Sequence, residues 1–226
     1  EKVNSKLNEE GFRVRDFIKN SKVKVVCTTD DPIDSLEYHI KLREENNFPV
    51  SVVPGFRPDK GLEINREGFI DWVEKLSEDS EIEIANYEDY LAALESRVHF
   101  FHAAGGQVSD HALDSMVYEE TSFEEVAEIF AKRISSSTIS LEAEKKFKTF
   151  TLTYLGKLYA ELDWAMQFHI NAHRNNNNRM FKILGPDTGY DSINDDQIAK
   201  PLVKILDSLE QENKLPKTII YSLNPG

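Results

Sequence analysis

Ionisable and amide side chains collect behind short apolar runs of this sequence: Thr28 and Asp30, Arg57 and Asp59, Asp110 and His111, His169 and Arg174, and Asn224. Carboxylates, imidazoles and guanidinium groups brought to one rim can hold a polar small molecule and move its protons. The competing account is that loops are polar and their Asp and Asn serve as caps and turns. That account is preferred for Asp31 and Asp187. At His169, which stands inside an apolar run, a functional histidine and a hydrogen-bonded core histidine both stay open.

Other patterns carry less. His99 and His102 fall in a predicted strand, where a separation of three puts them on opposite faces and out of reach of one metal. His169 and His173 would meet only on a helix, and the asparagine run from Asn175 to Asn178 argues for a loop. Phe147, Phe150, Tyr154 and Leu158, with Met166, read as core. Lys145, Lys146 and Lys148 read as a solvated face. There is no G-x-S-x-G, no H-E-x-x-H and no cysteine pair.

The elements that must position the rim follow from the apolar pattern. Strands are predicted at Val23–Cys27, Val50–Val53, Val98–His102, Trp164–Ile170 and Thr218–Ser222. Between them, a helix is expected from Asp31-Pro32 to about Glu45, ended by Asn46-Asn47. An acidic helical segment is expected over 61–97, read as an insertion. Further helices are expected from the Ser122 cap to Arg133, from Ser140 to about Leu162, and from Asp195 to about Glu212 with a restart at Pro201. Short strands alternating with helices predict parallel pairing and an α/β fold. In such folds the ends of the strands share one rim, where active sites form. No glycine-rich dinucleotide fingerprint follows the first strand.

The chain has 226 residues and a formal net charge of −13. That charge repels phosphate backbones and anionic lipid surfaces, so neither nucleic acid nor membrane is an expected partner. A hydrophobic share of 40% supplies a core and argues against disorder. A single cysteine, Cys27, excludes an intrachain disulfide and fits a reducing, cytoplasmic compartment. The first residues lack the apolar stretch of a signal peptide. The chain lacks an initiator Met and stops just behind an apolar run, so it is expected to be a piece of something longer.

Six segments carry a resemblance. They are Val26-Cys27-Thr28-Thr29-Asp30-Asp31-Pro32, Phe56-Arg57-Pro58-Asp59, the stretch from His102 to His111, the stretch from Phe168 to Asn177, Phe181 to Gly189, and Tyr221-Ser222-Leu223-Asn224-Pro225. In this order they resemble the uronate (glucuronate) isomerase family of the amidohydrolase superfamily. The resemblance implies a distorted (β/α)8 TIM-type barrel, of which the five predicted strands would be about the second to the sixth. Residues 1–226 would then be one incomplete barrel domain carrying the 61–97 insertion. It implies aldose–ketose interconversion of D-glucuronate with D-fructuronate and of D-galacturonate with D-tagaturonate. It also implies a divalent ion, usually zinc, whose family ligands would lie outside this chain, so no metal residue is expected here. Arg57 and Arg174 match positions that would bind the uronate carboxylate, and Asp110 and His169 positions that would hold hydroxyls or assist proton transfer. The piece alone is expected to be inactive and either to associate through its open strand edges or to curl into a partial barrel closed by its helical segments at 61–97 and 140–162; a homo-oligomer is expected. Two rivals remain: another metal-dependent hydrolase on the same barrel, and a non-catalytic sugar-acid binding fragment.

Overall fold

A computed structural model describes every residue except 1, 8, 10, 46, 47, 136, 225 and 226. Two helices, α1 (Lys2–Leu7) and α2 (Val14–Asn20), lead into strand β1 (Val25–Cys27). Helix α3 (Glu37–Glu44) and strand β2 (Ser51–Val53) follow. Three helices come next: α4 (Asp59–Leu62), α5 (Phe69–Ser80) and α6 (Tyr87–Ala103). Strand β3 (Val108–Leu113) is followed by α7 (Phe123–Ile134), α8 (Leu141–Glu161) and β4 (Ala165–Ile170). A short excursion holds β5 (Ala172–His173), α9 (Asn178–Leu184) and β6 (Ser192–Ile193). Helix α10 (Ala199–Glu210) and strand β7 (Lys217–Ser222) complete the order.

The long strands are parallel and adjacent in chain order. β1 pairs with β2, and β3 with β4 and β4 with β7. One residue joins these two ladders: Phe56 bridges Asp30 on one side and Ser109 on the other. Its amide donates to the Val108 carbonyl, and the Asp110 amide donates to the Phe56 carbonyl. β5 and β6 form a separate antiparallel pair.

Strand alternation sorts the sheet into two faces. Ser109, His111 and Leu113, with Met166, Phe168 and Ile170, are buried. His111 packs on Tyr159 of α8 and on Phe168. On the other face Val25, Ile219 and Tyr221 stay 57%, 43% and 46% exposed, so among the described residues the helices cover one face and leave the other bare. The helical layer has its own aromatic centre of Phe69, Tyr87, Tyr90, Phe130 and Phe147. Its polar tips are satisfied: the Tyr90 hydroxyl donates to the Gly61 carbonyl at 2.7 Å, and the Tyr87 hydroxyl meets Thr151 Oγ1 at 2.9 Å. Gly61 is required there, because a Cβ would sit 2.7 Å from both the Trp72 ring and the Tyr90 hydroxyl.

Four of the five predicted strands form at or within a few residues of the expected places, and the Ser122 and Ser140 caps accept from the amides of Glu125 and Ala143. The strand expected at Val98–His102 is instead the last turns of α6. Tyr87, Tyr90, Leu91, Leu94, Val98 and Phe101 are all buried at helical spacing, and a five-residue apolar run does not distinguish the two conformations. The strand comes later, at Val108–Leu113, so His99 and His102 are helical and Asp110 and His111 lie inside a strand. His102 Nδ1 accepts from the Trp164 indole N–H. Asp31-Pro32 makes a turn instead of starting a helix. Asp31 accepts from the Trp72 indole N–H at 2.8 Å and pairs with Lys60 at 2.9 Å, while α3 begins six residues later. The expected helix end at Asn46-Asn47 lies outside the described residues. The stretch from His173 to Arg179, expected as loop, contains the end of β5 and the start of α9.

Candidate functional site

Asp110 is the centre of the polar rim. It sits mid-strand in β3 and is 7% exposed. Its Oδ2 accepts from Arg57 Nη2 at 2.5 Å, and its Oδ1 lies 2.6 Å from His169 Nδ1. Three elements deliver the group: the turn after Phe56 carries Arg57, β3 carries Asp110, and the end of β4 carries His169. In the β3–β4 register Asp110 stands opposite Gln167, so His169 is the next residue up on the same face. Tyr221 stands opposite His169 in β7, and the two rings stack at 4.5 Å with planes 5° apart.

Arg57 also faces Asp59, whose Oδ2 lies 3.6 Å from its Nε. Both Asp59 oxygens accept from the Ala112 amide, at 3.1 and 3.2 Å. Burial pushes the Asp59 carboxyl up to about 7, against the opposing pull of Arg57 and that amide. His111, next to Asp110 but on the helix-covered face, is fully buried, and neither ring nitrogen has a hydrogen-bond partner among the described residues. Burial first, and the Arg57 charge second, hold it down to about 3, so it is a neutral core ring.

The other rim positions do different work. Thr28 Oγ1 donates to Asp30 and meets His39 Nε2, each at 2.7 Å, and Asp30 accepts from the Gly55 amide. This polar knot fixes the β1 and β2 ends. Arg174 does not join the Asp110 group. Its Nη1 lies 3.2 Å from Asp191 and 3.7 Å from Asp187. Asn175 and Asn176 bind the same returning segment through Asp191, Asp187 and Ser192, so the asparagine run and Gly185-Pro186-Asp187-Thr188-Gly189 clasp one excursion. Cys27 has its thiol pushed up by burial and by Asp30 and Asp110, which leaves it a poor nucleophile.

Of the four residues singled out in the sequence, the structure joins Arg57, Asp110 and His169 by direct contacts and places Arg174 with acidic partners of its own. The stacked Tyr221 was not singled out. Its signal lay in register, since the ends of β4 and β7 bring positions 169 and 221 side by side. Among the described residues no group of three or more His, Cys, Asp or Glu side chains is arranged to hold a metal ion. The Asp110 oxygens are engaged by Arg57 and His169. These residues alone do not make a metal site.

The glucuronate isomerase family profile matches residues 1–226, the whole chain. The chain belongs to that family. It is 64% identical over 224 residues to a uronate isomerase of Bacillus subtilis, covering 99% of this chain and 47% of the relative. It is 58% identical to one of Clostridium acetobutylicum, covering 100% and 48%. It is also similar to the solved uronate isomerase of Thermotoga maritima (TM-score 0.88, 31% identity, 93% of this chain and 46% of that one). The glucuronate isomerase of Caulobacter crescentus matches with a TM-score of 0.90 and 25% identity, over 98% and 46%. The chain thus spans about half the length of the relatives it matches.

Proposed function

We propose that the whole protein is a uronate isomerase and that this chain supplies the part of its active site that grips the sugar acid. The observation that carries the reading is the Arg57–Asp110–His169 group at the strand ends, in a chain whose relatives are named uronate isomerases. A guanidinium has five N–H donors. With Nη2 on Asp110, Arg57 keeps donors for a ligand carboxylate, which it meets in a two-pronged geometry. Asp110 beside His169 Nδ1 favours a proton on that nitrogen and leaves Nε2 to accept one from a sugar hydroxyl or carbon. His169 is half-exposed on the bare face, where such a ligand has access.

The finer readings belong to the same proposal. Five parallel strands in chain order with unpaired edges at β1 and β7 support part of a (β/α)8 barrel, with α4 to α6 as a helical insertion in one domain. A divalent ion in the whole enzyme takes its ligands from outside this chain. A cytoplasmic enzyme working as a homo-oligomer is part of the same proposal; separately, no helix among the described residues is long and apolar enough to cross a membrane.

The test is conversion of D-glucuronate and D-galacturonate to their ketoses by the full-length enzyme. Arg57→Met removes a charge-assisted pair and is expected to lower kcat/KM roughly 10- to 100-fold. Arg174→Met tests whether the second guanidinium reaches the carboxylate from its loop. A smaller loss is expected, because Asp191 and Asp187 already engage it. His169→Ala is expected to cost far more than His173→Ala, and equal losses would remove the Asp110–His169 pair from the reaction.

A further inference from the structure

Arg57 stands between two carboxylates and is bonded to one. Nη2 donates to Asp110, while Nε points toward Asp59 across 3.6 Å, buried and without a hydrogen-bond partner. Among the described residues Asp59 is held by a single hydrogen-bond donor, the Ala112 amide, which meets both oxygens. The other titratable groups that face it do not offset its charge. Glu63, beyond the end of its own helix, and Asp110 on β3 are both acidic. Tyr159 on α8 is a fully buried phenol pushed far up. Arg57 is therefore the cation on which Asp59 depends.

That arrangement gives the guanidinium two states. With Asp59 ionised, one positive charge is shared between two anions inside the chain. With Asp59 protonated, Asp110 alone draws on it, and its field extends toward the bare face of the sheet. We propose that Asp59 is a positioning residue for Arg57, and that its proton decides how strongly the guanidinium holds the carboxylate of an anionic sugar acid. The proposal rests on the reading that Arg57 binds that carboxylate. The placing of Asp59 near 7 brings its titration into the neutral range. By linkage, an anion that prefers the protonated form takes up a proton on binding and binds more weakly as pH rises.

The experiment measures KM for D-glucuronate in the full-length enzyme between pH 6 and 8.5, where the sugar carboxylate is ionised throughout. The wild-type KM is expected to rise roughly tenfold across this range. Asp59→Asn keeps an acceptor for the Ala112 amide and cannot ionise, so its KM profile is expected to be flat. Other titrations of the site are common to both proteins, so the difference isolates Asp59. An Asp59→Asn profile parallel to the wild type overturns the proposal. Inorganic sulfate is a second probe, read as a shift in Tm without turnover. Sulfate protection at pH 6 should vanish in Arg57→Met and, in Asp59→Asn, persist to pH 8.5. Absence of Arg57-dependent protection at pH 6, or its equal loss at pH 8.5 in Asp59→Asn, also overturns the proposal. An enzyme that passes the sulfate test but turns over no uronate defeats the function reading and leaves the role of Asp59 standing.

Discussion

Two buried titratable residues beside Arg57 give the molecule opposing responses to pH. The Asp59 carboxyl is raised from 3.8 to about 7. The folded state therefore holds this proton more tightly than the unfolded one. Its contribution is full below about pH 4, is lost as pH rises toward 7, and is absent above. His111 is lowered from 6.5 to about 3, so its contribution is full above about pH 6.5 and is lost as pH falls toward 3. Each amounts to a few kcal/mol, and between about pH 4 and 6.5 the two slopes oppose. Asp59→Asn is expected to gain stability against the wild type at pH 8 compared with pH 4, and His111→Leu to gain at pH 4 compared with pH 8. Urea unfolding midpoints at both pH values decide it. A variant that runs parallel to the wild type sinks the assignment for that residue.

At the scale of elements, Asn171 ties the strand ends together. It lies one residue past β4, fully buried, with φ 75°. Its Nδ2 donates to the Asn194 carbonyl at 2.9 Å, its Oδ1 accepts from Ser222 Oγ at 3.0 Å, and its amide reaches the Leu113 carbonyl. It thereby links β3, β7 and the segment after β6, two residues from His169. Asn171→Ala removes both side-chain bonds and puts an alanine in the left-handed region, at a cost of about 2–4 kcal/mol. Asn171→Gly loses the bonds without the backbone strain and is expected to fall between alanine and wild type in urea unfolding. If glycine is no better than alanine, the backbone part of this account is wrong.

The legible elements were those with an unambiguous period. Ser140 to Leu162 reads as a helix and is one, and Trp164–Ile170 reads as a strand and is one. The strand misread as a polar turn was the one whose polarity contradicted its conformation. β3 carries Ser109, Asp110 and His111 in its middle, because one face of it serves the site and the other buries a neutral histidine. The apolar Val98–His102 run next door looked more like a strand and was helix. The nearness of Arg57, Asp110 and His169 could be anticipated from the family resemblance, whereas the positional argument for Asp110 fails, because Asp110 stands mid-strand in β3 and the apolar run before it is helical. The diversion of Arg174 could not, because it depends on a return of the chain to Asp187 and Asp191 that no local pattern encodes.

The molecule as a whole has one covered and one bare sheet face, and the strands at the two edges, β1 and β7, each have a free side. Val25, Ile219 and Tyr221 are exposed on the bare face, and Ile220 on the other face of the edge strand β7, Leu223 just past it, and Phe181, Ile183 and Leu184 on α9 are exposed as well. Exposed apolar area costs roughly 25 cal/mol per Å², against a total stability of about 5–15 kcal/mol. Unpaired strand edges also recruit further strands. The isolated 226 residues are expected to associate, with the net charge of −13 keeping the species soluble. Light scattering should show a mass that rises with concentration, together with binding of a dye that reports apolar surface. A strict monomer with no dye binding and a sharp unfolding transition would show that the bare face needs no cover.

Among the described residues Phe56 is the bridge through which the β1–β2 ladder meets the β3–β4–β7 ladder. Arg57 follows it immediately on one side of that seam, and Asp110 and His169 stand on the other. The sheet is narrow in backbone hydrogen bonds where Arg57 faces Asp110 and His169. The Arg57–Asp110 bond therefore crosses the seam beside the Phe56 bridge. The two ladders are thus held together at one place by main chain and side chain at once, so the join of the sheet and the candidate site share a single seam.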